Sequence, residues 1–369
     1  MIKVLVVDDS VVVRRLIVDA LSGVPNITVV GTAANGLLAQ AKIDQLVPDV
    51  VTMDIEMPQM DGITAVRELR KRHPRLPVIM FSTLSASGAS ATLEALAAGA
   101  TDYVTKPSNV GSVAESIAAV RDQLVPKINA LAAVRARPAS PRLAPPRPAF
   151  SGSAAAPVAP ARPARRGGRP ARVEILAIGS STGGPDALTK VLAAIPGDLP
   201  VPIVITQHMP PVFTKMFAER LDRNVPLRVV EAIEAMEVVA GTVYIAPGDR
   251  HLVLHRRGTA TVIQLSTAPP ENSCRPAVDV MFRSVAQLYG AGAFAAVLTG
   301  MGQDGRNGAK VLRDAGGEVL AQDEASSVVW GMPGAVVTAG LADEVLPLDR
   351  IASCLVARVK AGRSAAVAR

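Results

Sequence analysis

Residues 4–10, Val-Leu-Val-Val-Asp-Asp-Ser, decide the fold of the first third of this 369-residue chain. Four consecutive apolar residues match a short buried strand, and the run stops abruptly at two aspartates. A helical pattern follows, and the unit then recurs. Strands are expected at Ile2–Val7, Ile27–Gly31, Val50–Met53, Val78–Phe81 and Asp102–Thr105, with amphipathic stretches between them and a last helix after Val110. Five such repeats within residues 1–126 mean a parallel sheet covered by helices on both faces.

The chemistry stands at the strand ends. Strand one runs into Asp8 and Asp9, strand three into Asp54, strand four into Ser82 and Thr83, and strand five into Lys106 and Pro107. In an open α/β sheet these carboxyl ends share one crevice. Three carboxylates around one point repel unless a cation lies between them. Mg2+ suits such a site, because it accepts carboxylates and keeps waters for phosphate oxygens. A lysine and a hydroxyl nearby complete a phosphoryl site whose central carboxylate can act as the acceptor. Helix capping explains an Asp or Ser at any single position, but it is a poor account of all of them together.

VLVVDDS, MDIEMPQMDG, MFST and YVTKP together resemble the receiver domain of response regulators, over the whole of 1–126. The resemblance implies a flavodoxin-like (βα)5 fold and phosphorylation of Asp54 by a partner histidine kinase. It implies Mg2+ held at Asp8, Asp9 and Asp54, with the Glu56 carbonyl nearby, and Lys106 on the phosphoryl group. Ser82 aligns with the switch hydroxyl, and the adjacent Thr83 stays open. A cis Lys106–Pro107 bond is also implied.

The net charge of +7 points at first to nucleic acid or an acidic surface. Its distribution says otherwise. Residues 127–172 hold one Lys, nine Arg and no acid, whereas 1–126 and 173–369 carry −2 and −1. The segment is rich in Ala, Pro, Arg, Gly and Ser and is expected to be a disordered linker. Aromatic residues make up only 3% of the chain, so there are few rings on which bases could stack. The two cysteines, Cys274 and Cys354, suit a reducing compartment and exclude a disulfide framework. No apolar run approaches the roughly 20 residues of a membrane span, and MIKVLVVDDS lacks the features of a signal peptide. A cytoplasmic protein is expected.

The second domain is expected over 173–362. A strand at Val173–Ile178 runs into Gly-Ser-Ser-Thr-Gly-Gly-Pro, 179–185, and then a helix. This is either a phosphate cradle or a nucleophile turn of the form G-x-S-x-G centred on Ser181, with Ser180 as its decoy. A serine needs a base and the base an orienting carboxylate. Of the four histidines, His208 ends an apolar strand at Val201–Thr206. His73 reads as exposed, and His251 and His255 as strand surface or substrate rim. Asp304 stands in a glycine-rich turn after the strand Ala295–Leu298. The order Ser, His, Asp disfavours an ordinary α/β-hydrolase. Cys274 has no histidine in its local motif and reads as a small buried or rim residue, and Trp330 and Met332 read as packing residues.

IGSSTGG, ITQHMPP, YIAPGDRH, CRPAVDVMF, TGMGQDG and WGMPGAV resemble, in order and spacing, the effector domain of the chemotaxis protein-glutamate methylesterase (CheB) family. The resemblance implies a doubly wound α/β domain and a cofactor-free esterase. Ser181 would be the nucleophile, His208 the base and Asp304 its orienter. Backbone amides near Thr182 and Met301 would hold the oxyanion, and Arg275 is a further substrate-contact candidate. The implied substrates are methyl-accepting chemotaxis receptors in membrane arrays, with deamidation of receptor glutamines as a second reaction. The implied regulation is a receiver that covers the esterase site until it is phosphorylated. Two rivals are a DNA-binding regulator, which the acidic second domain disfavours, and a hydrolase of another ester or amide.

Overall fold

In a computed structural model, residues 1–107, 112–135 and 171–367 are described. The N-terminal domain alternates β1 (Ile2–Val7), α1 (Val11–Leu21), β2 (Ile27–Ala33), α2 (Gly36–Leu46), β3 (Val50–Asp54), α3 (Gly62–Arg72), β4 (Val78–Ser82), α4 (Ala86–Ala97), β5 (Asp102–Thr105) and α5 (Val113–Arg135). Polar residues after the strands start the helices: Ser10, Asn35, Asp61 and Ser85 each cap the next helix by accepting from its first turn. The sheet order is β2-β1-β3-β4-β5, with every pair parallel. Because β1 and β3 are neighbours, the aspartates after β1 meet the one that ends β3. Because β4 and β5 follow, Ser82 and Lys106 arrive at the same edge.

The expected boundary at residue 126 is not where the fold ends. Helix α5 continues through Pro126 to Arg135. Proline within a helix removes one hydrogen bond and costs about 3 kcal/mol. Burial of Leu124, Ile128 and Leu131 on the sheet offsets that cost. Lys127 adds an ion pair to Asp102 at 2.8 Å and donates to the Tyr103 carbonyl. The first residues assigned to the linker are therefore structural, and 136–170 of that segment lie outside the described residues. The Lys106–Pro107 bond is not cis, in keeping with the lower-energy trans form of most X–Pro bonds; among the described residues the cis bond is Arg275–Pro276.

The C-terminal domain comprises β6 (Ile175–Ser180), α6 (Gly184–Ala193), β7 (Ile203–Gln207), α7 (Phe213–Asn224), β8 (Arg228–Glu231), β9 (Thr242–Ile245), β10 (His251–Arg257), β11 (Ala260–Ser266), α8 (Val278–Tyr289), β12 (Ala293–Val297), α9 (Arg306–Asp314), β13 (Glu318–Gln322), α10 (Met332–Thr338), β14 (Glu344–Leu346) and α11 (Leu348–Val367). Seven parallel strands run in the order β14-β13-β12-β6-β7-β9-β8, and β10 and β11 form a separate antiparallel hairpin. The first strand of the domain, β6, thus lies between β12 and β7, where the chain direction of growth reverses. Such a switch point opens a crevice beyond the carboxyl ends of the strands.

The two domains share one apolar cluster. Leu96 and Tyr103 of the first pack with Phe213 and Phe217 of the second. The Tyr103 and Phe213 rings stack at 4.8 Å, inclined by 5°. No helix among the described residues is long and apolar enough to cross a membrane. Ile128→Ala tests the extended α5: it is expected to destabilise the N-terminal domain by about 2–5 kcal/mol. Urea unfolding would read this, and a wild-type midpoint would place Ile128 outside the core.

Candidate functional site

The first site lies at the carboxyl edge of the N-terminal sheet. Carboxylate oxygens of Asp8, Asp9 and Asp54 lie within 4.8 Å of one another. Asp8 and Asp54 are buried and Asp9 is exposed. Lys106 Nζ pairs with Asp54 at 2.8 Å and reaches Asp8 at 3.4 Å. Burial raises the pKa of both buried aspartates; Asp54 adds to the rise at Asp8, and Lys106 opposes it at both. One oxygen of Asp8, Oδ2, is buried without a hydrogen bond. A buried carboxylate oxygen that makes no hydrogen bond, with the Lys106 ammonium 3.4 Å away and two more carboxylates beside it, suits an oxygen-ligated dication such as Mg2+. The Glu56 side chain is exposed and outside this acidic group. Ser82 is buried and its hydroxyl is turned onto α4, accepting from Thr92 at 2.6 Å. Thr83 is exposed and bonds Ser85.

The second site occupies the switch point of the C-terminal sheet. Strand β6 ends at Ser180, and the turn to α6 carries Ser181, Thr182 and Gly183. The two serines now separate. Ser180 is fully buried and donates to Gln207 Oε1 at 2.7 Å, whereas Ser181 lines a cavity together with His208. Gln207, unremarked in the sequence, organises this turn, since its amide also donates to the Ser181 carbonyl at 3.0 Å. Its signal was a polar residue at the end of an apolar strand. Gly300 closes the other side; a Cβ there would stand 2.9 Å from that of Ser181, too near for any side chain.

His208 follows β7, and Asp304 follows β12 across β6. They meet at 2.8 Å, Nε2 to Oδ2. The Asp304 carboxylate also accepts from the backbone amides of Val278, Asp279 and Gly305 and from the Asn272 side chain. Two of those amides open α8, so the charge sits at a helix N-terminus, where the dipole favours an anion. Burial opposes its ionisation, but the bond to His208 and these amides outweigh it and hold the pKa below the usual carboxylate range. At His208, burial disfavours the charged ring, yet the hydrogen bonds to Asp304 and Cys274 prevail, and the pKa is raised to about 9.

In the sequence Cys274 has no histidine neighbour, because His208 is 66 positions away. The fold corrects this: Sγ lies 3.5 Å from His208 Nδ1. Arg275 is likewise engaged elsewhere than expected. Its guanidinium grips Asp249 and the carbonyls of Thr267 and Ala268. His251 is wholly buried, bonded to the Pro269 carbonyl and the Ala277 amide, and so is not strand surface; His255 is exposed. His73 pairs with Asp44 at 3.0 Å. Met332 is buried, and Trp330 donates to the Gln322 carbonyl. The amides of Thr182 and Met301 carry no hydrogen bond among the described residues.

The first domain closes the second site. Asp102 on β5 accepts from the Thr182 hydroxyl at 2.7 Å and holds Lys127 with the same oxygen. The cavity between Asp102, Lys127, Ser181 and His208 is about 20 Å3. That is room for one water, not for a substrate side chain.

The comparisons agree with this division. The model of the response regulator receiver domain matches residues 4–118, and that of the CheB methylesterase matches 176–355. A Nocardioides protein named protein-glutamate methylesterase/protein-glutamine glutaminase is 53% identical over 347 residues, covering 94% of this chain and 92% of that one. A Trichodesmium erythraeum protein of the same name is 47% identical over 357 residues, covering 97% and 99%. The solved CheB methylesterase catalytic domain of Thermotoga maritima is 44% identical and covers 50% of this chain and 97% of that one, with a TM-score of 0.49. A serine and a histidine at the switch point of one sheet, an acidic group at the edge of the other and similarity over 94–97% of the chain thus converge: the chain belongs to the CheB methylesterase family, in the form with a response regulator receiver domain ahead of the esterase domain.

Proposed function

We propose that this protein hydrolyses glutamate methyl esters on chemotaxis receptors and that phosphorylation of its receiver switches the activity on. The observation that carries the reading is that Ser181 and His208 line one cavity, with Asp304 bonded to the far side of the imidazole. Ser181 Oγ attacks the ester carbonyl while His208 takes its proton. The nitrogen that takes it is Nδ1, once it leaves the Cys274 sulfur, since Nε2 is on Asp304. The amides of Thr182 and Met301 stabilise the oxyanion. The tetrahedral intermediate collapses, and methanol leaves with the proton from His208. Water, activated by the same imidazole, then cleaves the acyl-enzyme to the glutamate carboxylate and restores Ser181. A glutamine amide follows the same path with ammonia as the leaving group, which supports glutaminase activity as a second reaction of this site.

Control begins at Asp54. A partner histidine kinase supplies the phosphoryl group. Asp8, Asp9 and Asp54, with the Glu56 carbonyl, would hold Mg2+, which neutralises charge on the transferring group. Lys106 moves its contact from the Asp54 carboxylate to the phosphoryl oxygens, and Ser82 turns from α4 toward the same group. Lys106 and Asp102 stand at opposite ends of β5, a short rigid element. A shift of its end disturbs the Asp102–Thr182 bond and the Tyr103–Phe213 stack, and the receiver lifts from the nucleophile. Two states with different phosphate contacts suffice for this.

Methanol release from methylated receptor tests the chemistry. Ser181→Ala and Asp304→Asn are expected to lower the rate by about three orders of magnitude or more, with folding intact; a rate near wild type for Ser181→Ala sinks the nucleophile assignment. Phosphodonor is expected to raise the wild-type rate at least about tenfold, a coupling of over 1 kcal/mol. Asp54→Asn should remove the gain, and equal rates with and without donor contradict the switch. A base must be neutral to act, and the raised His208 pKa keeps the imidazole protonated at neutral pH. The unphosphorylated enzyme should therefore gain kcat/KM as pH rises toward about 9. A profile flat from about pH 6 to 9 contradicts His208 as the base.

A further inference from the structure

Cys274 is half-buried and lies in a turn built around the catalytic pair. Glu271 and Cys274 bridge each other through both backbone hydrogen bonds, and Glu271 is tied to Arg283 of α8. Between them Asn272 and Ser273 both take left-handed backbone conformations, with φ of 52° and 61°. Such angles are uncommon outside glycine and persist where the surroundings impose them. The turn delivers two side chains to one pair. The Asn272 amide reaches Asp304 Oδ1 at 3.1 Å, and the Cys274 sulfur reaches His208 Nδ1 at 3.5 Å. With Asp304 on Nε2, both ring nitrogens of His208 are engaged, and the plane of the ring is set from two sides.

We infer that Cys274 is a positioning residue for the hydrolytic reaction: its thiol holds Nδ1 of His208 and keeps the imidazole aligned on Asp304 until Ser181 takes that nitrogen over. This rests on the esterase reading above. The charged and titratable groups facing His208 are Asp304 from the turn before α9, Cys274 from the turn before α8, and Asp102 and Lys127 across the cavity from β5 and α5. Among the described residues Cys274 and Asp304 hydrogen-bond the ring, and the sulfur contact favours its protonated form. Removing the thiol therefore lowers the pKa of the base and loosens the ring. The other cysteine offers a control: Cys354 on α11 bonds Glu344 of the edge strand β14, and burial with that carboxylate pushes its thiol up to about 11.

The test is the pH dependence of methanol release by the full-length, phosphorylated protein. Cys274→Ala is expected to lower kcat about tenfold with KM within about twofold, a modest share of what a general base supplies. The acid limb of kcat/KM should move to lower pH by at least about half a unit. Cys274→Ser, which keeps a hydrogen-bonding group, should recover most of the rate and part of the shift, and Cys354→Ala should change neither. If Cys274→Ala fails to fold, Cys274→Val, which fills the space without a thiol, carries the same expectations. A wild-type acid limb and kcat in the folded Ala or Val variant overturns the inference. Wild-type protein that releases no methanol at all overturns instead the esterase reading on which it rests.

Discussion

The carboxylate of Asp304 draws on donors from separate parts of the C-terminal domain: the imidazole after β7, the side chain of Asn272, the first amides of α8, and the amide of Gly305 next to it. A buried anion is tolerated only when its lone pairs are satisfied, and here they are. That constraint orders the site. It pins the turn before α9 to the start of α8, fixes where the imidazole stands between β7 and β12, and leaves the crevice above β6 for Ser181. The raised pKa of His208 and the depressed pKa of Asp304 are two expressions of this contact.

A strand of the other domain reaches into that arrangement. β5 is four residues long, from Asp102 to Thr105. One end meets Thr182, beside Ser181, and the residue after the other end pairs with Asp54. The apolar contact of Leu96 and Tyr103 with Phe213 and Phe217 supplies area, and the single polar bond supplies register. Such a mixed interface can hold in one state and release in another.

Much of this was legible in the chain. Apolar runs that stop at Asp8, Asp54, Ser181 or His208 name both the strands and the residues at their ends, because strand length and burial are written in local composition. Other features were not. The extension of α5 was hidden by Ala, Pro and Arg, although Leu124, Ile128 and Leu131 do keep helical spacing. Local pattern barely separates Ser180 from Ser181, which the family resemblance had to tell apart; the Ser180 bond to Gln207 is a contact between strands that the pattern does not encode. The Cys274–His208 contact joins residues 66 positions apart, and the capture of Arg275 by Asp249 depends on a loop path that no local pattern encodes.

The cover over Ser181 belongs to the same polypeptide as the serine. A separate inhibitor would have to be matched in amount to its enzyme, and any surplus of enzyme would escape it. Here the ratio is one to one by covalent connection, at every level of expression and at every dilution. Fluctuation in the number of molecules per cell changes how many switches there are, but not the fraction left open by default. Noise in gene dosage is thereby kept apart from the setting of the switch.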